Sequence, residues 1–196
     1  MAETVQTCEE TVDPRIRRTR QLLCQGLEKL LREKDFDKIS VQDIADAATV
    51  NRVTFYDHYP DKFALLVCVV GSRFQELLTA RNIKFDGACS SALKGIVLSV
   101  CDYLSGTLGT DADRRRQLEP HLESAVIAVV RRMFLEGLRR HPGPTQVPPE
   151  IVATTLSWAI YGAAQEWAQT SNRCSSDEAV ETILMLVSPI LDRMAH

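Results

Sequence analysis

From Ile16 onward, apolar residues return every three or four positions. Ile16, Leu23, Leu27, Leu30 and Leu31 share one face, the period of an amphipathic helix. Pro14 suits a first helical position and Asp13 the cap before it, so this helix is predicted to begin at Pro14 and end near Lys34. Ser40-Val41-Gln42-Asp43 has the form of a capping box with Asp in the third place. It opens a short helix of about two turns, with Val41, Ile44 and Ala45 facing inward. Three residues later Asn51 can cap a second short helix bearing Val53, Phe55 and Tyr56. Tyr59-Pro60 interrupts it, and Asp61 caps a longer helix from Lys62 to about Arg81.

Beyond Phe85 the pattern predicts helices near 90–105, 111–118, 120–140, 149–170 and 176–194. Breaks fall at 105–109, Glu119-Pro120, 141–144 and 171–176. Ser176 followed by Asp177 and Glu178 makes a good N-terminus, since acids are favoured at the positive end of a helix. There is no strand alternation and no internal repeat. The prediction is an all-α protein of about nine helices.

Composition narrows the class. The chain has 196 residues, enough for one or two domains. With 45% hydrophobic and 25% charged residues it resembles an ordinary globular protein, which excludes wholesale disorder. The longest apolar runs, 64–71 and 183–191, fall well short of the roughly 18 residues of a membrane span. Residues 1–13 are polar and acidic, unlike a secretory signal. The six cysteines (8, 24, 68, 89, 101 and 174) form no C-x-x-C pair, and the four histidines do not cluster. Reduced core thiols in a cytoplasmic protein, with no metal and no cofactor, are the expectation. No Walker loop, G-x-S-x-G or G-x-G-x-x-G occurs, so no catalytic residue is expected.

Net charge is −3, so only a local surface could attract nucleic acid. Residues 14–62 are the one net-basic block, with ten Lys and Arg against eight Asp and Glu, and four of those arginines stand at 15, 17, 18 and 20. Within this block the two short helices sit three residues apart behind a long capped one. That spacing fits a helix-turn-helix, whose second short helix enters the major groove. Arg52 can pair bidentately with guanine, and Asn51 or Gln42 can address adenine or a phosphate. Val53 can meet a thymine methyl. Thr54, Tyr56 and Lys62 read as phosphate contacts, which position the protein without reading sequence.

Ile44-Ala45, Val50, Thr54-Phe55-Tyr56, His58-Tyr59, Asp61-Lys62 and Leu65-Leu66 stand in an order that closely resembles the tetracycline-repressor (TetR) family of bacterial regulators. The likeness covers residues 14–66; the remainder matches in helix count and length. It implies a DNA-binding head over 14–60 behind an arm at 1–13, and a ligand-binding and dimerisation body over 61–196. It further implies that Thr54, Tyr56 and Lys62 touch phosphates, that Arg52, Val53 and Gln42 face bases, and that His58 lies at the edge of the DNA surface. Phe55 and Tyr59 are implied core anchors, and Arg15, Arg17 and Arg18 flank the start of the first helix. The family commonly has Gly where this chain has Thr49, and a β-branched residue at φ > 0 is strained by about 1–2 kcal/mol. Asp57, in the reading helix, would repel phosphate unless it accepts from a cytosine amino group or pairs with a nearby Arg.

The last two predicted helices are apolar nearly all round, which suggests one face for the core and another for a partner. Ala159, Gly162, Ala163, Ile183, Leu186, Val187 and Ile190 are the expected interface of a homodimer. Tyr103, His121, Phe134, Trp158 and Tyr161 are candidates to line a pocket for an unknown small-molecule effector. The expected function is a ligand-responsive repressor that binds a palindromic site on double-stranded DNA as a homodimer, without a membrane. A protein-interaction adaptor, or an enzyme built on the helical body, are the alternatives.

Overall fold

The computed structural model describes residues 13–87, 90–107, 112–142, 147–170, 172 and 174–195, and only the backbone of 107, 112–118, 120, 194 and 195. All regular structure among them is helical. In order these are α1 (Pro14–Glu33), a 3-10 turn (Phe36–Lys38), α2 (Val41–Ala47), α3 (Arg52–His58), α4 (Lys62–Ala80), α5 (Ser90–Thr107), α6 (Ala112–Arg140), α7 (Pro149–Gln169) and α8 (Ser176–Ala195). The all-α prediction holds. The arm at 1–12, Cys8, Cys89 and the side chains of Arg114, Arg115 and Arg116 lie outside the described residues.

The count of eight helices rather than nine has one cause. The expected break at Glu119-Pro120 does not occur, and α6 continues through Pro120. A proline deletes one backbone hydrogen bond and crowds one turn. The turns that follow bury Leu122, Val126, Val130, Phe134 and Leu138, which holds the helix together across that loss. By length and composition α4 is apolar enough to cross a membrane, a match that counting uninterrupted runs misses because Arg73 and Glu76 divide it. Its Phe74 and Leu78 are wholly buried in a protein core.

The chain divides into two compact units, Met1–Leu65 and Leu66–His196. In the first, α1 packs on α2 and α3 around Leu23, Leu27, Phe36, Ile39, Ile44 and Phe55. Gly26 makes the α1–α2 crossing possible. A Cβ there would stand 3.2 Å from the Ala48 nitrogen and 3.3 Å from the Ile44 oxygen. The second unit is a helical bundle in which α7 packs against α5, α6 and α8. Its core includes Phe74, Ile96, Val126, Phe134, Leu156, Ile160, Ile183 and Val187. In it the segment after α4 crosses α6 at Gly137, where a Cβ would lie 2.5 Å from Phe85 Cδ1.

Candidate nucleic-acid interface

The ends of the short helices are built from local hydrogen bonds. The Asp13 carboxylate accepts from the Arg15 N–H at 2.8 Å and starts α1. At α2 the Ser40 hydroxyl accepts from the Asp43 N–H at 3.1 Å, while the Asp43 carboxylate accepts from the Ser40 N–H at 2.8 Å. This is the reciprocal capping box. Ser40's two donors, joined by the Lys34 ammonium at 3.1 Å, hold the Asp43 carboxyl at about 2, below its ordinary 3.8. At the far end of α2 the Val50 N–H donates to the Ala45 oxygen and the Thr49 N–H to the Asp46 oxygen. That pair of bonds is a Schellman closure, and it puts Thr49 at φ +57°. The strained turn expected at Thr49 is therefore present, with a β-branched residue where glycine fits best.

Helix α3 opens on Asn51, whose Oδ1 accepts from the Thr54 N–H at 2.7 Å and from the Thr54 hydroxyl at 3.0 Å. Phe55 is fully buried, and Tyr59 closes the helix nearly as deeply. With Phe55 inward, the opposite face carries Arg52, Val53, Tyr56 and Asp57, all exposed. Val53 is 70% exposed. The Arg52 guanidinium donates to the Tyr56 hydroxyl at 3.2 Å and lies over its ring, 5.5 Å from the centroid. This contact pre-orders both side chains on the outer face. Thr54 and His58 are half-buried at its margins.

Not every candidate residue belongs to that face. Lys62 is turned inward. Its ammonium donates to the carbonyls of Ile39 at 2.8 Å, Phe36 at 3.0 Å and Asp37 at 3.3 Å, and sits 4.6 Å from the centroid of the Phe36 ring. All three of its N–H donors are thereby used, which corrects the expected phosphate contact to an internal tie. Gln42 is exposed on α2 and donates to the Asp46 carboxylate at 2.8 Å. Arg15, Arg17 and Arg18 are exposed along the first turn and a half of α1.

The pocket and interface candidates divide as well. Phe134 is fully buried edge-on against Phe85, with ring centroids 4.9 Å apart, and fills the core rather than lining an opening. Trp158 is 53% exposed, because Leu156 and Ile160 take the inward phase of α7. Tyr103 packs edge-on to Phe74 at 5.3 Å, and burial raises its phenol above the ordinary range. Tyr161 is buried, and burial, then the nearby Glu123 and Glu119, push its phenol up, so it stays protonated. His121 is half-buried. Ile183 and Val187 are 3% and 2% exposed and belong to the chain's own core, which removes them from the expected interface. Leu186, Ala159 and Gly162 are exposed, Ala163 and Ile190 half-buried. Among the described residues no group of three or more His, Cys, Asp or Glu is placed to hold a metal ion.

Residues 25–68, which carry the capping box, the Thr49 turn and all of α3, match the model for bacterial regulatory proteins of the tetR family. Residues 25–68 are a TetR-family segment. Over 71 residues, 36% of its length, this chain is 35% identical to YxbF of Bacillus subtilis (strain 168), an uncharacterized HTH-type transcriptional regulator. The matched stretch spans 19% of that protein's own length. A TetR transcriptional regulator from Rhodococcus sp. RHA1 is 18% identical with a TM-score of 0.53, over 90% of this chain and 96% of that one. Thermus thermophilus FadR, a TetR family transcriptional repressor in complex with lauroyl-CoA, is 21% identical with a TM-score of 0.50, over 86% and 93%. At these identities the likeness to the TetR structures is one of fold.

Proposed function

We propose that this chain is a cytoplasmic, sequence-specific DNA-binding regulator of the TetR kind: a repressor that grips a palindromic operator as a homodimer and lets go when a small effector binds. The observation that carries the reading is the outer face of α3. Arg52, Val53 and Tyr56 stand together on one exposed side of a helix whose other side is pinned by Phe55. A major groove about 12 Å wide accepts one such helix. In this reading Arg52 addresses guanine and Val53 a thymine methyl, Tyr56 donates to a phosphate, and Thr54 reaches a phosphate by turning its hydroxyl away from Asn51. Asn51 has both lone pairs of Oδ1 committed to Thr54, so its amide N–H groups favour a phosphate over the two-point pairing with adenine. Arg17, with Arg15 and Arg18, adds phosphate neutralisation, and His58 borders the contact.

Residues 14–60 form the reading head in this scheme and 61–196 the body that dimerises and receives the effector. The exposed side of α7 and α8, with Ile151, Trp158, Ala159, Gly162, Met185 and Leu186, supports a two-fold contact with a second copy. Two heads then meet half-sites about 34–36 Å apart or a multiple of it. That FadR is a repressor in complex with lauroyl-CoA supports an effector-responsive body. The effector acts only through a difference in its affinity for two states, and the coupling to DNA is reciprocal.

Selection of bound duplexes from a random pool with the full chain, followed by footprinting, tests the reading. An enriched inverted repeat is expected, and loss of binding by Arg52→Ala. A pool without enrichment at low salt overturns it and favours the adaptor.

A further inference from the structure

In the second unit, α4, the segment after it and the C-terminal half of α6 border an open cleft of about 510 Å³. That volume lies within the range of small-molecule sites. Three cationic side chains line it, Lys84, Arg132 and Arg140, against one carboxylate, Glu136. Glu136 stands 3.9 Å from Arg140, a loose pair that leaves the cation much of its field. Arg132 is held by a neutral group, donating to the Gln75 side-chain amide oxygen Oε1 at 2.8 Å. A surface of net charge +2 is thus concentrated in one concavity of a chain whose net charge is −3. Gln75 also lines the cleft, and Ile83, Phe85 and Met133 supply its apolar part.

The rim is built rather than draped. Asn82 adopts φ +53° to close α4 through the bonds Ile83 N–H to the Leu78 oxygen and Asn82 N–H to the Thr79 oxygen. Phe85 is anchored against Phe134, and Gly87 takes φ +108° where the segment crosses Gly137. Lys84 is thereby carried on backbone fixed on both sides of it.

We propose that this cleft binds an amphipathic organic anion, its head paired with Arg132, Lys84 and Arg140 and its apolar portion on Ile83, Phe85 and Met133. The assignment of that anion as the effector rests on the ligand-responsive reading above; the binding itself does not. Gln75 gives the site a line to α4, because an anion that competes for Arg132 loosens the bond that Gln75 accepts.

Calorimetry on the full chain without DNA tests it, with octyl phosphate, inorganic phosphate and octylamine as probes. Octyl phosphate is expected to saturate one site per chain, inorganic phosphate to bind about tenfold or more weakly, and octylamine not to bind. The exposed pair K84M/R132M is expected to lower octyl phosphate affinity about tenfold or more at an unchanged melting temperature, while R139M, which removes a cation paired with Glu150 outside the cleft, is expected to leave it unaltered. Equal binding of octylamine, an unaffected K84M/R132M, or an equal loss in R139M overturns the proposal. If octyl phosphate binds as expected and operator affinity does not move, the cleft stands and the effector-responsive reading falls. If nothing binds while the operator shift is intact, the cleft alone falls.

Discussion

The Lys62 ammonium donates to the Ile39 carbonyl at 2.8 Å, tying the first residue of α4 to the segment just before α2. The same nitrogen satisfies the carbonyls of Phe36 and Asp37, at the 3-10 turn. Hydrogen bonds from a charged donor contribute about 1.5–3 kcal/mol, and removing one partner leaves buried acceptors unpaired. Lys62→Met is therefore expected to destabilise the head by about 1–3 kcal/mol in urea unfolding. The dependence of operator affinity on salt should keep its slope, because no phosphate contact is lost. A slope reduced by about one unit with unchanged stability would return Lys62 to the DNA surface.

Thr49 offers the opposite sign. Its φ of +57° is left-handed, where a β-branched residue costs about 1–2 kcal/mol. Glycine removes that strain but adds about 0.5–1 kcal/mol of unfolded-chain entropy. Thr49→Gly is expected to stabilise the head by up to about 1 kcal/mol, seen as a higher urea midpoint at constant slope. A lower midpoint would mean that the threonine side chain earns more than its strain.

Gly137→Ala tests the crossing of α6. The new Cβ would stand 2.5 Å from Phe85 Cδ1, 2.8 Å from the Phe85 oxygen and 3.0 Å from the Gly87 nitrogen. Two of those atoms are backbone and cannot rotate away. Overpacking of this kind costs about 1–3 kcal/mol, occasionally more, so the second unit should melt earlier while the head's Phe55-based core is untouched. Gly106→Ala in α5, with nothing within 4 Å of its Cβ, serves as the control with stability unchanged or raised.

Acid should weaken the α2 cap through Asp43. Its carboxyl titrates at about 2 in the folded head against 3.8 ordinarily, lowered first by the Ser40 hydroxyl and N–H and then by Lys34. A depressed folded value stabilises the protein above the ordinary pKa, and that contribution is lost as pH falls from about 4 through 2. Wild type should lose more stability than Asp43→Asn over this window. Parallel pH profiles for the two proteins would show that the cap carries no linkage.

In the proposed homodimer the outer face of α7 and α8 separates assembly from folding. Leu186 is 67% exposed, whereas Ile183, one turn earlier, is 3% exposed. Leu186→Glu should leave the fold intact and shift the chain from dimer to monomer in sedimentation. Ile183→Ala should cost about 2–5 kcal/mol of stability. A dimer that survives Leu186→Glu together with Trp158→Glu would place the two-fold contact elsewhere.

The helix starts at Pro14, Val41 and Arg52, and the strain at Thr49, were legible in the amino-acid sequence. Each depends on groups within about four residues: Asp13 with Arg15, Ser40 with Asp43, Asn51 with Thr54, Val50 with Ala45. Such bonds form wherever the local chain is helical, so spacing alone predicts them. The face of α3 followed from the same logic, since an inward Phe55 leaves Arg52, Val53 and Tyr56 outward.

Only the tertiary structure decided where Lys62 points, since its three acceptors lie more than twenty residues away. Likewise α7 and α8 are apolar on more than one side, so periodicity could not tell Ile183 and Val187 from Leu186, or an inward Trp158 from an outward one. A helix with two apolar faces carries no phase of its own; the neighbours that pack on it choose one. Continuity of α6 through Pro120 and the bare backbone at Gly137 have the same origin, because burial of the following turns and the crossing of a distant segment are long-range facts that no local pattern encodes.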